Sequence, residues 1–110
     1  MSPRLLVLSS VEKPEDALRL SRELVERGLA ACVNIVPGVT SVFRWQGKLE
    51  QAQERLLLIK TRAESFDALR EALLALHPYQ LPEIVALPIE AGHPAYLDWL
   101  DAACAAGGAT

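Results

Sequence analysis

Two runs of consecutive apolar residues constrain the fold of this chain more than any other feature. One is LLVL at residues 5–8, within a strand predicted over residues 5–9, and the other is LLLI at residues 56–59. Runs of this length without polar alternation are typical of strands at the centre of a sheet, where other layers cover them. We therefore predict one sheet whose central strands contain these two runs.

Three further segments show the periodicity and end signals of helices. The first runs from Pro14 to a glycine cap at Gly28, the second from Phe66 to a stop at His77 and Pro78, and the third begins at Pro94. Apolar positions spaced by three and four residues predict the faces that these helices bury. The predicted face residues are Ala17, Leu18, Ser21, Leu24, Val25, Phe66, Leu69, Leu73, Leu76, Leu97, Leu100 and Cys104.

Two more strands complete the pattern. A second strand is predicted over residues 30–35, and it resumes over residues 39–45 after an interruption at Pro37 and Gly38. The pair Gln46-Gly47 is a two-residue hairpin signal that leads into a third strand over residues 48–60. A fourth strand is predicted over residues 84–89.

The resulting order, β-α-β-β-α-β-α, predicts an α+β domain with the ferredoxin-like split βαβ arrangement, an antiparallel sheet with helices on one face. Strands two and four contain Pro37 and Pro88, and proline is tolerated at edges or bulges, so these strands are predicted to be the edges. We expect residues 1–110 to form a single domain, with residues 105–110 as a flexible tail.

The predicted edges also bear on assembly. An open four-stranded sheet leaves two edges to be blunted or paired, and the long second strand carries Val39, Val42, Phe43 and Trp45 out to the hairpin tip. Pairing of edges between subunits would cover these apolar groups, so we expect an oligomer.

Charge and composition exclude some partners. The formal net charge is -3, which gives the chain no electrostatic reason to bind nucleic acid or anionic membranes. The amino-terminal residues lack the pattern of a secretory signal, and no apolar run has the length of a membrane span, so we expect a cytoplasmic protein. In that setting a disulfide between Cys32 and Cys104 is not expected.

Several short strings follow one another along the chain in a specific order and spacing. They are AACVNIVPG at residues 30–38, RWQGK at 44–48, IKT at 59–61, HPYQLPEI at 77–84 and YLDWL at 96–100. Together these strings resemble the CutA divalent-cation-tolerance family, and the likeness covers nearly the whole chain. The resemblance implies a ferredoxin-like subunit, a homotrimer built by edge-strand pairing, an association with divalent cations that includes copper for some members, and no established catalytic activity.

Two residues are candidate metal ligands. The thiolate of Cys32 suits copper(I), and the imidazole of His77 suits copper or zinc. Each also has a structural explanation: Cys32 as a small buried apolar residue, and His77 as a cap on the last carbonyls of the second helix. The resemblance implies a metal role for Cys32, whereas Ser9 stands where some family members carry a second cysteine.

A second group combines aromatic, cationic and acidic side chains. The resemblance places such residues near the cleft between subunits, where they could form a ligand pocket anchored by the Lys60 ammonium, or ion pairs and aromatic packing that hold the trimer together. The residues are Trp45, Glu54, Lys60, Tyr79 and Glu83.

These features favour a trimeric protein of divalent-cation tolerance or metal response, with copper as a possible ligand and no obligatory cofactor. The alternative is a regulatory module that binds a small ligand in inter-subunit clefts, by analogy with the PII-type proteins. We do not expect an enzyme. Acylphosphatases share this fold but need glycine and arginine after the first strand, where this chain has SSVEKP at residues 9–14.

Overall fold

The structure is a computed structural model that describes residues 3–108, with side chains described for residues 3–104. A short 3-10 turn, Ala63–Ser65, joins the third strand to the second helix. The elements in chain order are β1 Arg4–Val11, α1 Pro14–Glu26, β2 Cys32–Trp45, β3 Lys48–Arg62, α2 Phe66–Leu76, β4 Val85–Ile89 and α3 Pro94–Gly108.

The four strands form one antiparallel sheet in the order β2-β3-β1-β4, which confirms the predicted ferredoxin-like topology. The apolar runs lie in β1 and β3, which pair with each other at the centre, with Val7 opposite Ile59. Pro37 and Pro88 lie in the edge strands β2 and β4, as predicted. A proline in an edge strand does not remove a central ladder hydrogen bond.

One face of the sheet, here called the covered face, packs against α1 and α2. Because side chains alternate along a strand, Val7 and Val11 of β1 share this face with Leu57 and Ile59 of β3. All four are fully buried. The helices contribute Leu20, Leu24, Leu69 and Leu73 to the same core.

The opposite face, here called the open face, is also apolar but has little cover within the chain. Helix α3 reaches one end of it, where the guanidinium of Arg4 donates two hydrogen bonds, of 3.0 and 2.7 Å, to the Asp101 carboxylate. Many apolar side chains on this face are half-buried or exposed. They include Leu6, Leu8, Val36, Leu56, Leu58, Val85 and Leu87.

A β-bulge between Val36 and Val39 lies where the sequence predicts an interruption, and Gly38 adopts a φ of 74° there. The bulge adds one residue to β2, so even-numbered residues face the open side before it and odd-numbered residues face that side after it. Beyond the bulge the two strands form an arm that ends in the predicted turn. Gln46 and Gly47 have φ values of 51° and 80°, the left-handed pair of a type I′ hairpin.

Some predicted details differ from the structure. On α1 the buried stripe is Ala17, Leu20, Ser21 and Leu24. Leu18 and Val25 were predicted to share that face but are 52% and 42% exposed, because each lies about 100° away from a stripe residue and falls on its flank. On α3, Tyr96 and Trp99 are 39% and 48% exposed.

The ends of some elements also differ from the predicted ends. Strand β1 continues to Val11, two residues beyond the predicted end, so the segment compared with the acylphosphatase loop begins as strand. Helix α3 continues to Gly108, while residues 109 and 110, the end of the predicted tail, lie outside the described residues. Cys32 and Cys104 are both free thiols. Within residues 3–108, no helix is long and apolar enough to cross a membrane.

Candidate functional site

A groove of about 970 Å³ lies between the arm and the segment that follows α2. Its walls come from the end of β1, both strands of the arm, and residues 79–83. The lining residues are Ser10, Glu12, Ser41, Val42, Phe43, Arg44, Trp45, Glu50, Ala52, Glu54, Tyr79, Gln80, Leu81, Pro82 and Glu83.

The arm supplies the floor and one wall of the groove. Ser41 lies opposite Ala52, and Phe43 lies opposite Glu50, so these four side chains share the open side of the sheet. The small pair leaves space over the strands, while the ring of Phe43 and the carboxylate of Glu50 project beside it. The alternation of side chains along the two strands thus gives the groove a shallow floor, with an aromatic ring and a carboxylate next to it.

Tyr79 and Glu54 join the two walls. The Tyr79 hydroxyl donates a hydrogen bond of 2.6 Å to Oε2 of Glu54, whose residue is only 6% exposed. Burial, and then the hydrogen bond to Glu54, raises the pKa of Tyr79 far above its ordinary value. Tyr79 therefore remains a protonated donor at physiological pH and holds the Glu54 carboxylate in place.

His77 fastens the start of this segment to β1. Its Nδ1 accepts a hydrogen bond of 3.1 Å from the backbone N–H of Tyr79, so Nε2 carries the proton and donates at 2.9 Å to the carbonyl of Ser10. The imidazole also packs edge-on against the Tyr79 ring, with centroids 4.7 Å apart. Burial lowers the pKa of His77.

These bonds bear on both roles considered for His77. The ring contacts the Ser10 carbonyl of β1, rather than the last carbonyls of α2 that the cap interpretation expects. Both ring nitrogens are engaged inside the chain, so neither has a free lone pair for a metal ion. Binding a metal at His77 would require the 77–79 segment to detach from β1.

Four of the five predicted ligand residues, Trp45, Glu54, Tyr79 and Glu83, line the groove, but Lys60 does not. Lys60 lies six positions from Glu54 along β3, a distance of about 20 Å at the usual rise of a strand. Its ammonium donates a hydrogen bond of 2.8 Å to the Asn34 side chain and lies 5.8 Å from the centroid of the Tyr96 ring. The Lys60 ammonium therefore does not act as a cationic anchor in the groove of its own chain, whose lining has Arg44 as its cationic side chain.

The two predicted metal ligands are also apart. Cys32 is half-buried on the open face opposite Lys60, whereas His77 binds Ser10, which lies opposite Leu56. Four positions of β3 separate these two levels, about 13 Å. Among residues 3–108, no three Cys, His, Asp or Glu side chains are grouped as a metal ion would require. The donors of one chain therefore do not fit a metal site.

Several groove residues were not predicted, notably Phe43, Glu50 and Ala52. The Gln46-Gly47 turn carries a signal that could identify them, because a two-residue hairpin fixes the register of its strands. Counting outward from the turn pairs Trp45 with Lys48 and Phe43 with Glu50. Glu12 carries no comparable signal, since it reaches the groove through the packing of β1 against the 79–83 segment.

Comparison with protein families identifies one match. Residues 5–103 fit the family model described as CutA1 divalent ion tolerance protein. This range includes the four strands and three helices, except for Arg4 of β1 and the last residues of α3.

Individual relatives agree with the family match. The chain is 56% identical over 95 residues to the divalent-cation tolerance protein CutA of Thermus thermophilus, a match that covers 86% of this chain and 92% of the relative. It is 52% identical over 81 residues to a CutA homolog of Xenopus laevis, which covers 74% of this chain but only 54% of that longer relative. The crystal structure of CutA1 from Oryza sativa aligns with a TM-score of 0.90 and 45% identity, covering 93% of this chain and 94% of that one.

Proposed function

The chain belongs to the CutA1 divalent ion tolerance family, and we propose that it acts as a homotrimer in tolerance of, or response to, divalent metal ions. The observation that carries this proposal is the family match over residues 5–103. The relatives from Thermus thermophilus and Archaeoglobus fulgidus are named divalent-cation tolerance proteins, and the chain covers 92% and 84% of their lengths.

The open face supports the trimer. Val36, Val85 and Leu87 are exposed beside the half-buried leucines of β1 and β3, so a continuous apolar surface spans all four strands. Monomeric proteins rarely leave a surface of this kind in water. Copies that pair their edge strands would bring these faces together and remove both edges and apolar surface from solvent.

Light scattering tests the assembly directly. One chain has a mass of 12.0 kDa, and the proposed trimer has three times that mass in solution. A measured mass equal to that of one chain, at micromolar concentration and in moderate salt, would contradict the trimer.

We propose that any copper contact is made by the Cys32 thiolate, with further donors from another copy, and not by His77. The support is that Cys32 lies on the open face, whereas His77 is buried and bonded through both nitrogens. In calorimetric titrations with copper, Cys32→Ser should weaken binding and His77→Ala should not. Equal, weak binding by both variants and the unchanged protein would contradict this assignment.

The groove supports a second candidate function, binding of a small ligand. Its volume lies at the upper end of the range of ligand sites, and it combines aromatic groups with a few polar ones. A ligand that binds the folded protein raises its apparent thermal stability, so a thermal-shift screen of metabolites tests this function. If no compound in a chemically varied screen raises the melting temperature, the groove is not a ligand site.

A further inference from the structure

The groove is acidic. Its lining includes the carboxylates of Glu12, Glu50, Glu54 and Glu83 and a single cationic group, Arg44. Since Lys60 lies about 20 Å from Glu54 along β3, the groove of one chain offers an organic anion little attraction. Its charge instead favours a positively charged ligand.

Glu54 gives this charge a specific position. The residue is only 6% exposed. No cationic side chain in the described part of the chain lies within 4 Å of its carboxylate. Oε2 accepts the Tyr79 hydrogen bond, no further hydrogen bond to the carboxylate is found among residues 3–104, and Glu54 lines the groove. Burying a carboxylate without a cation is costly, and a positively charged ligand would offset that cost.

We propose that the groove binds a linear aliphatic polyamine, with Glu54 and Glu50 as the residues that pair with its ammonium groups. The two carboxylates lie four positions apart on the same side of β3, about 13 Å at the usual rise of a strand. A triamine or tetraamine can reach both carboxylates, whereas a short monoamine can reach only one. Repeated charge along the ligand thus matches repeated charge along the strand.

The aromatic wall fits the rest of such a ligand. The methylene segments of a polyamine are apolar and can lie along Phe43 and the exposed Leu81, with the small pair Ser41 and Ala52 beneath. The Trp45 ring at the same wall can attract an ammonium group through its π face. This inference rests on the ligand-binding function proposed above for the groove, and it does not depend on a metal site.

Fluorescence of Trp45 offers a direct measurement. The only other tryptophan, Trp99, is exposed on α3, so the Trp99→Phe protein reports the groove alone. Spermidine, butylamine, the neutral 1,8-octanediol and magnesium chloride would be titrated separately, at constant ionic strength, into the assembled protein. We expect spermidine to bind at least tenfold more tightly than butylamine or magnesium, and the diol not to bind.

Three variants in the same background locate the site. Glu54→Gln keeps an acceptor for the Tyr79 hydroxyl while removing the charge, and we expect it to weaken spermidine binding at least fivefold. Glu50→Gln should weaken it by a similar factor. Glu26→Gln removes one charge from an exposed position on α1 outside the groove and should leave binding unchanged.

Other outcomes would overturn the proposal in distinguishable ways. Equal spermidine binding by Glu54→Gln and Glu26→Gln would mean that attraction is diffuse and the groove is not the site. Loss of trimer mass in Glu54→Gln, without spermidine binding to the unchanged protein, would mean that a side chain of a second copy occupies the groove. Binding of the diol as tight as that of spermidine would support a small-ligand function for the groove but would show that positive charge on the ligand is not required. Binding of copper without binding of spermidine would support the metal function and would exclude polyamine binding in the groove.

Discussion

The two faces of the sheet are built from the same strands but meet different surroundings. On the covered face, Leu57 and Ile59 are fully buried under α1 and α2. On the open face, their neighbours Leu56 and Leu58 are only half-buried, and Leu87 of β4 is 47% exposed. Both faces are apolar, yet one chain supplies a complete layer for only one of them.

This difference shows what an uninterrupted apolar run encodes. A strand with one face in water normally alternates apolar and polar residues, whereas LLLI in β3 does not alternate. The run is therefore consistent with burial on both sides, and the covered face accounts for half of it. The other half is explained if copies of the chain cover each other, as proposed above.

The largest expected effect comes from placing a charge on the open face. Leu87→Lys should leave the single chain folded, because the position is exposed there, but should reduce the proposed trimer to a monomer, because a lysine cannot be buried between copies. Light scattering measures the change. Leu74→Lys is the matched control, since Leu74 is 51% exposed on α2 and away from the open face, and it should retain the trimer. Equal masses for the two variants would show that a charge on the open face affects assembly no more than a charge on α2.

The next effect compares adjacent leucines in the monomeric Leu87→Lys background. Leu57→Ala should lower the free energy of unfolding by about 3 kcal/mol, because it empties a packed site in the covered core. Leu58→Ala should lower it by less than about 1 kcal/mol, since that side chain already contacts water in one chain. Urea unfolding measures both. Similar losses would show that a single chain covers the two faces equally.

A smaller effect of opposite sign is expected from Ser9 on the covered face. Its hydroxyl is fully buried and has no hydrogen-bond partner among residues 3–104, so Ser9→Ala should raise the free energy of unfolding by about 1 kcal/mol. Ser21→Ala is the control, because the Ser21 hydroxyl donates a hydrogen bond of 2.7 Å to the Ala17 carbonyl. It should give no increase. A loss of stability in Ser9→Ala would mean that the hydroxyl has a partner after all.

The last effect depends on pH and concerns His77, in the segment that passes from the covered face to the open face. Its pKa is lowered by burial, so below pH 6.5, the ordinary value, the unfolded chain binds a proton more readily than the folded one. Stability is therefore complete above that pH and falls as the pH drops towards the folded pKa. In urea unfolding between pH 8 and pH 5, His77→Gln should lose less stability than the unchanged protein. Parallel curves would show that His77 does not contribute.

Much of the fold could be predicted from the sequence because local signals agreed with each other. The prolines in β2 and β4 placed these strands at the edges, the apolar runs placed β1 and β3 at the centre, and Gln46-Gly47 fixed the hairpin. The misplacement of Leu18 and Val25 has a different origin. Apolar side chains on the flank of a helix have nearly the same spacing as those on its buried stripe, and only packing distinguishes them.

The site was less predictable, since it depends on distances that the sequence does not contain. Trp45, Glu54, Tyr79 and Glu83 were grouped through the family resemblance, and they do line one groove. Lys60 was grouped with them, but six positions of extended strand separate it from Glu54. Cys32 and His77 each had suitable chemistry, yet their environments could not be known before the register of β2, β3 and β1 was known.

The bulge at Pro37 and Gly38 makes the arm sensitive to chain length in a particular way. Removing one residue there would restore the simple alternation of β2 without exchanging any sides, because Phe43 would still pair with Glu50 and paired residues project on the same side. The deletion would instead remove the bend and the added twist that a bulge gives to a strand, and so change the angle at which the arm leaves the sheet. A single deletion at this point would therefore alter the width of the groove while leaving the central strands and both of their layers as they are.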